Sequence, residues 1–153
     1  MKSVRKKIII VDDNASYLSV VRVLLKPYYE AYPALSAAKL FEIITKFIPD
    51  LILLDVSMPE MSGFEAMSIL RENPRHKDIP VIFLTAKDDE ESAVKGLDLG
   101  AADYVTKPFS GPLLLKRISN ILLIEQQKRE LQASLSNIIQ LREQLESQAH
   151  KQN

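Results

Sequence analysis

Five residues of the sequence have types and positions that suit phosphate chemistry. Each directly follows or ends an apolar run: Asp12, Asp13, Asp55, Thr85 and Lys107. Three carboxylates in one crevice repel each other, which either raises a pKa or requires a divalent cation with oxygen ligands. Mg²⁺ fits best, because it is held by one or two carboxylates and keeps positions for water and phosphate. A lysine on the opposite side supplies the positive charge that a phosphoryl group needs.

Apolar runs must position these side chains. The strand candidates are residues 8–11, 28–32, 51–54 and 81–84, with a short fifth around Val105, and the helix candidates between them are residues 15–26, 37–47, 64–72 and 90–99. Three of the runs are continuous rather than alternating, which is typical of parallel strands covered on both faces. The alternation predicts an α/β fold with an open, doubly wound sheet. Ligands of such sheets bind beyond the carboxyl ends of the strands.

Bulk composition excludes several classes of protein. Twenty basic and twenty acidic residues cancel, so no overall field attracts nucleic acid or a membrane surface. Cysteine is absent, which removes disulfides and thiolate chemistry. Only four apolar residues follow the basic start, too few for a signal peptide. We therefore expect a cytoplasmic protein that binds neither nucleic acid nor membrane through this chain.

A single aspartate after a strand is often a helix cap, and Asp13 or Asn14 could serve as one ahead of Ala15. Capping does not explain a polar residue at each of four strand ends. Four segments instead resemble the response regulator receiver domains of two-component signalling: Val11-Asp12-Asp13-Asn14, Asp55-Val56-Ser57-Met58-Pro59-Glu60-Met61-Ser62-Gly63, Thr85-Ala86 and Lys107-Pro108-Phe109. The resemblance spans about residues 5–120 and implies a chemotaxis-regulator-like, flavodoxin-like fold with a five-stranded parallel (βα)5 sheet.

The resemblance also implies roles for single residues. Asp55 would accept a phosphoryl group from a sensor histidine kinase or a histidine phosphotransfer protein. Asp13 and Asp55 would bind Mg²⁺ directly, Asp12 through metal-bound water, and Ser57 through its backbone carbonyl. Lys107, ahead of a cis proline bond, would hold the phosphoryl oxygens. The chain would then be no enzyme beyond its own phosphorylation and dephosphorylation.

Switching and lifetime are implied at further positions. Thr85 resembles the hydroxyl that moves to bond the phosphoryl group, and Tyr104 the aromatic ring that turns inward behind it; the alternative for Tyr104 is a half-buried ring with a wet hydroxyl. Ser57 and Lys87 flank the expected path of attacking water and could set the lifetime of the aspartyl phosphate. The alternative for Lys87 is a solvated surface lysine.

The C-terminal region predicts a long helix. Residues 113–148 lack Gly and Pro and are rich in helix formers. Two heptad columns follow: Leu114, Ile121, Lys128, Leu135 and Arg142 in one, and Arg117, Ile124, Leu131, Ile138 and Leu145 in the other. The pattern favours a coiled coil, and a homodimer through the receiver face and this helix is expected. Lys128 and Arg142 would weaken the seam.

We predict a receiver domain at residues 1–122 and a helical extension at 123–153. The extension either leads to an effector domain that this chain does not contain or serves without one.

Two other functions would require different residues at these strand ends. An aspartyl-phosphate hydrolase of the haloacid dehalogenase type needs an Asp-x-Asp arrangement after its first strand, whereas this chain has Asp12-Asp13-Asn14. A degenerate receiver that serves as a dimerisation scaffold would have lost an acidic residue, Asp55 or Lys107. All of these are present, so a phosphoacceptor switch is the favoured interpretation.

Overall fold

The apolar runs of the sequence form the strands of one parallel sheet. A computed structural model describes residues 4–86 and 89–151 of the chain. Strands and helices alternate in it: β1 (Lys7–Val11), α1 (Ala15–Leu25), β2 (Glu30–Ala34), α2 (Ala37–Ile44), β3 (Leu51–Asp55), α3 (Gly63–Glu72), β4 (Val81–Ala86), α4 (Glu90–Asp98), β5 (Asp103–Lys107) and α5 (Gly111–Lys151). The strand order is β2-β1-β3-β4-β5 and all neighbours are parallel. This confirms the predicted flavodoxin-like (βα)5 fold.

The three continuous runs are the three inner strands. Nearly every side chain of β1, β3 and β4 is buried, as expected for strands with helices on both faces. The weaker second run forms β2 at the edge of the sheet. Pro33 therefore sits where a missing backbone N–H is tolerated.

Several predicted boundaries differ from the structure, and two of the differences have a clear local cause. β2 begins at Glu30 rather than residue 28, because the N–H groups of Tyr28 and Tyr29 both donate to the carbonyl of Leu25 and close the end of α1. α2 ends at Ile44 rather than residue 47. There the N–H of Thr45 donates to the carbonyl of Glu42, and the chain tightens into a turn.

Polar side chains fix the helix starts. The capping residues are Asn14, Ser36, Ser62, Asp89 and Ser110, and each accepts a hydrogen bond from the backbone N–H three positions later. This is the usual N-cap arrangement. Asn14, rather than Asp13, is the cap of α1, which leaves Asp13 available for other contacts.

The chain divides into two compact units, Met1–Ser119 and Asn120–Asn153. The first contains the sheet. The second is the distal part of α5, and its large apolar side chains from Leu123 to Leu145 are exposed, with Leu131 62% and Leu145 67% exposed. The long predicted helix is confirmed. Within the described ranges, none of the helices combines the length and hydropathy that a membrane crossing requires.

Candidate functional site

The carboxyl ends of β1 and β3 bring three carboxylates together. One oxygen each of Asp12, Asp13 and Asp55 lies within 4.8 Å of the other two. Asp12 and Asp55 are buried, at 1% and 6% exposed, whereas Asp13 faces solvent. The N–H of Asn14 donates to Asp12 Oδ1 at 3.0 Å and holds that carboxylate in place. An all-oxygen donor set of this kind suits Mg²⁺.

Lys107 is the cation that faces this cluster. It ends β5, and its Nζ lies 2.5 Å from Asp12 Oδ2 and 3.3 Å from Asp55 Oδ1. The Lys107–Pro108 peptide bond is cis, as the resemblance implied. Burial alone would lower the pKa of Lys107, but the hydrogen bond and the negative charges of Asp12 and Asp55 outweigh it and the pKa is raised. The lysine is therefore charged and paired.

Asp55 titrates far above an ordinary aspartate. Its pKa is raised from 3.8 to about 6, chiefly by burial and also by repulsion from Asp12 and, more weakly, Asp13, while Lys107 lowers it. The positive charge of Lys107 therefore does not offset burial and the two neighbouring carboxylates together. A second positive charge at this position would relieve the repulsion, so the electrostatics of the cluster fit a divalent cation.

The backbone around Asp55 requires a glycine eight residues later. The N–H of Gly63 donates to the carbonyl of Val56 at 2.8 Å, and a Cβ built on Gly63 would lie 2.3 Å from the backbone oxygen of Asp55. No side chain fits there. The first residue of α3 thus packs directly on the backbone of Asp55, which explains the glycine in the Asp55–Gly63 motif.

A cavity of about 450 Å³ opens beside the carboxylates. Asp55, Ser57, Thr85 and Lys107 line it together. Thr85 is buried, and among the described residues its Oγ1 has no hydrogen-bond partner. The cavity is large enough for a phosphoryl group and water. It places an unsatisfied hydroxyl, a lysine and a carboxylate around one space.

The predicted switch residue Tyr104 does not line this cavity. Tyr104 is partly buried and packs against the core cluster. In the sheet, Tyr104 of β5 pairs with Phe83 of β4, and Thr106 pairs with Thr85. Tyr104 and Thr85 therefore lie on the same face of these neighbouring strands. Lys87 lies outside the described residues.

Sequence reasoning missed two residues that line the cavity, Tyr17 and Asp89. Asp89 is the N-cap of α4 and bonds both the N–H and the hydroxyl of Ser92. Those hydrogen bonds lower its pKa. Tyr17 lies one turn into α1, close to Lys107. Neither belongs to a motif; Asp89 comes soon after the end of β4, a position that could have indicated it, whereas no sequence signal marks Tyr17.

Comparison with known proteins gives consistent matches. A family model described as the response regulator receiver domain matches residues 8–119. The chain is 44% identical over 111 residues to a Vibrio cholerae protein named a probable cyclic di-GMP phosphodiesterase, covering 72% of this chain and 25% of that protein. It is 41% identical over 120 residues to the Pseudomonas aeruginosa phosphate regulon transcriptional regulatory protein PhoB, covering 78% and 52%. The chain thus spans about half or less of these relatives.

A solved structure has the same fold. The chemotaxis protein CheY4 of Vibrio cholerae superposes with a TM-score of 0.71 at 31% identity, covering 76% of this chain and 98% of that one. The matched part of this chain thus covers nearly the whole of that protein.

Proposed function

The chain belongs to the family of response regulator receiver domains of two-component systems, and on that premise we propose that Asp55 accepts a phosphoryl group and thereby switches the conformation of the domain. The observation that carries the proposal is the cluster of Asp12, Asp13 and Asp55 with Lys107 bound to it at 2.5 and 3.3 Å. The donor is a phosphohistidine of a sensor kinase or histidine phosphotransfer protein.

The side chains around Asp55 suit in-line transfer. A carboxylate oxygen of Asp55 attacks phosphorus, the bond from phosphorus to the donor's imidazole nitrogen breaks, and its electron pair stays on that nitrogen. Lys107 lies close enough to meet a phosphoryl oxygen and neutralise charge as the group arrives. The nucleophile is already ionised near neutral pH, since its pKa is about 6, and therefore needs no general base.

Asp13 and Asp55 would hold Mg²⁺ through their carboxylates, with Asp12 acting through water and Ser57 through its backbone carbonyl. When bound, Mg²⁺ neutralises phosphoryl oxygens and stabilises the charge of the transferring group. The three carboxylate oxygens within 4.8 Å of one another support this assignment, as does the raised pKa of Asp55.

Thr85 and Tyr104 form the proposed switch. The Thr85 hydroxyl, which lacks a hydrogen-bond partner among the described residues, would bond to an oxygen of the new phosphoryl group. Tyr104 lies on the same sheet face and would turn into the space that Thr85 vacates. A buried hydroxyl that gains a partner supplies about 1–3 kcal/mol, enough to shift a two-state element.

Ser57 and Lys87 are proposed to set the lifetime of the aspartyl phosphate. Ser57 is exposed and lines the same cavity as Asp55, so its side chain borders the route by which water would enter. Lys87 lies two positions after Thr85 and would screen the phosphoryl group. Autodephosphorylation of Lys87→Ala at the wild-type rate would remove Lys87 from this role.

The distal helix is proposed to form a parallel coiled coil with a second copy of the chain. Four apolar residues at heptad spacing, Ile124, Leu131, Ile138 and Leu145, are 45–67% exposed. Such a stripe is unfavourable in water for a single helix. The two cations in the seam are paired on their own helix, Lys128 with Glu125 at 3.4 Å and Arg142 with Glu146 at 3.3 Å, which reduces repulsion between like residues of facing copies.

We propose a receiver at residues 1–122, a linking helix at 123–153, and control of dimerisation or of a further output domain. Since the chain spans 25% and 52% of the relatives described above, output could reside in another part of a longer protein. A cytoplasmic location, where a sensor kinase would present its phosphohistidine, is part of the same proposal.

Phosphorylation by a small donor tests the main proposal. Wild type and Asp55→Asn are incubated with Mg²⁺ and acetyl phosphate, and intact mass and sedimentation are measured. A Mg²⁺-dependent phosphoryl adduct that Asp55→Asn lacks is the expected result, with a shift toward dimer. Asp78→Asn, an exposed carboxylate remote from the cluster in sequence, is the matched control. Absence of an adduct with this donor and with phosphorylated kinases would favour the scaffold alternative, in which the coiled coil is the functional part.

A further inference from the structure

The aromatic ring of Tyr17 lies against the lysine of the site. Lys107 Nζ is 4.6 Å from the centre of the Tyr17 ring. Phe109 meets that ring edge-on, with centroids 5.5 Å apart and planes at 81°. The backbone of Tyr17 is fixed as well, because its N–H donates to the capping oxygen of Asn14 at 3.1 Å. The ring is therefore held on two sides in a defined orientation.

The Lys107 ammonium consequently has two kinds of neighbour. Asp12 and Asp55 lie at 2.5 and 3.3 Å, and the Tyr17 ring is the third group close to it. A cation over an aromatic face is attracted by the negative charge density of that face, and more strongly where water is partly excluded. Lysine has a flexible four-carbon stem, so a contact outside the carboxylate pair limits where its charge can go.

We propose that Tyr17 is a positioning residue that holds the Lys107 ammonium beside Asp55, ready to meet an arriving phosphoryl group. The proposal rests on the proposed function of Asp55 for its catalytic consequence. Tyr17 and Asp55 line the same cavity, so the ring lies beside the space that the phosphoryl group would enter. When Asp55 is phosphorylated the ring face stays on the ammonium and keeps it in the cavity.

The proposal assigns the effect to the ring face and not to the hydroxyl. Phenylalanine has the same face, and leucine fills a similar volume without it. Tyr17→Phe should therefore preserve the function of Lys107, and Tyr17→Leu should impair it. Comparison of the two variants therefore separates the role of the ring face from that of the hydroxyl.

Two measurements test the proposal on the full chain. The first is NMR of the Lys107 side-chain methylene protons, whose resonances the ring current of Tyr17 should shift upfield in wild type. The shift should persist in Tyr17→Phe and be lost in Tyr17→Leu. It should decrease in Phe109→Leu, which removes only the edge-on support. Tyr28→Leu, at an exposed ring elsewhere, should leave the shift unchanged. Identical Lys107 shifts in wild type and Tyr17→Leu would overturn the proposal.

The second measurement is the rate of phosphorylation by acetyl phosphate, in which Asp55 attacks phosphorus, the bond from phosphorus to the acetyl oxygen breaks and acetate leaves. Tyr17→Leu should be slower by about 3- to 10-fold, the range expected for a partly desolvated cation–π contact, with Tyr17→Phe within about twofold of wild type. Equal rates for Tyr17→Phe and Tyr17→Leu would refute the positioning role. Failure of wild type to react would instead contradict the proposed function, and the NMR result would still decide the contact.

Discussion

Removing the negative charge of Asp55 should stabilise the metal-free protein. The pKa of Asp55 is raised from 3.8 to about 6, and about two pKa units correspond to about 3 kcal/mol. The crevice opens to a solvent-filled cavity, so screening reduces this figure. We expect Asp55→Asn to raise the free energy of unfolding by about 1–2 kcal/mol well above pH 6.

The pH dependence of this effect has a definite sign. Between 3.8 and about 6 the folded state binds more protons at Asp55 than the unfolded state does. The free energy of unfolding of wild type therefore falls as pH rises through this window. The advantage of Asp55→Asn should be absent below the window, grow across it and be complete above about pH 6.

Urea unfolding with a chelator measures the difference, at about pH 8 and about pH 4. Asp78→Asn, at an exposed carboxylate, should show no such gain. Saturating Mg²⁺ should stabilise wild type by mass action and Asp55→Asn much less. The reasoning is refuted if Asp55→Asn is less stable than wild type at the higher pH without metal, or if its advantage is the same at both pH values.

Three further predictions follow from the same residues. Gly63→Ala should lower the free energy of unfolding by about 2–3 kcal/mol, since its Cβ would meet the backbone of Asp55; an unchanged urea midpoint would contradict the close packing. Thr85→Val should raise the free energy of unfolding by about 1 kcal/mol, because it removes a buried hydroxyl that has no hydrogen-bond partner in the described ranges, and a loss of stability in urea unfolding would contradict this. Lys128→Leu with Arg142→Leu should strengthen dimerisation about 10-fold or more by replacing charges in the seam; sedimentation equilibrium measures this, and a monomeric double variant would argue against the coiled coil.

The sheet could be predicted from the sequence because its inner strands are continuous apolar runs. Residues 51–54 and 81–84 carry that signal without interruption, and each run is a strand with the expected position and direction. The edge strand β2 has a weaker apolar signal than the inner strands. The start of β2 is set by hydrogen bonds from the N–H groups of Tyr28 and Tyr29 to the carbonyl of Leu25. These contacts form only in the folded turn, so the pattern of apolar residues does not predict them.

The site could be predicted only in part for a related reason. Asp12 and Asp55 follow strands that are neighbours in the sheet, so parallel topology alone brings them together. Tyr17 follows no strand and belongs to no motif. Its contact with Lys107 depends on the direction of a ring in the first turn of α1 and on the path of the chain through Phe109. Side-chain direction of this kind is set by three-dimensional packing.

The resting site is locally unfavourable in a way that the proposed phosphorylation would relieve. Asp55 is ionised against two other carboxylates and its pKa is about 6, and the Thr85 hydroxyl is buried without a partner among the described residues. A phosphoryl group on Asp55 would offer oxygens to Thr85 and Lys107, and a divalent cation would neutralise the carboxylates. The new hydrogen bond to the Thr85 hydroxyl supplies about 1–3 kcal/mol, which matches the coupling energy typical of allosteric switches. The free energy for switching can therefore arise at the site itself, provided that the resting state is held by the rest of the fold. A Cβ built on Gly63 would lie 2.3 Å from the backbone oxygen of Asp55, so α3 packs closely on this strand end, and the core can thereby keep the unfavourable Asp55 carboxylate in place.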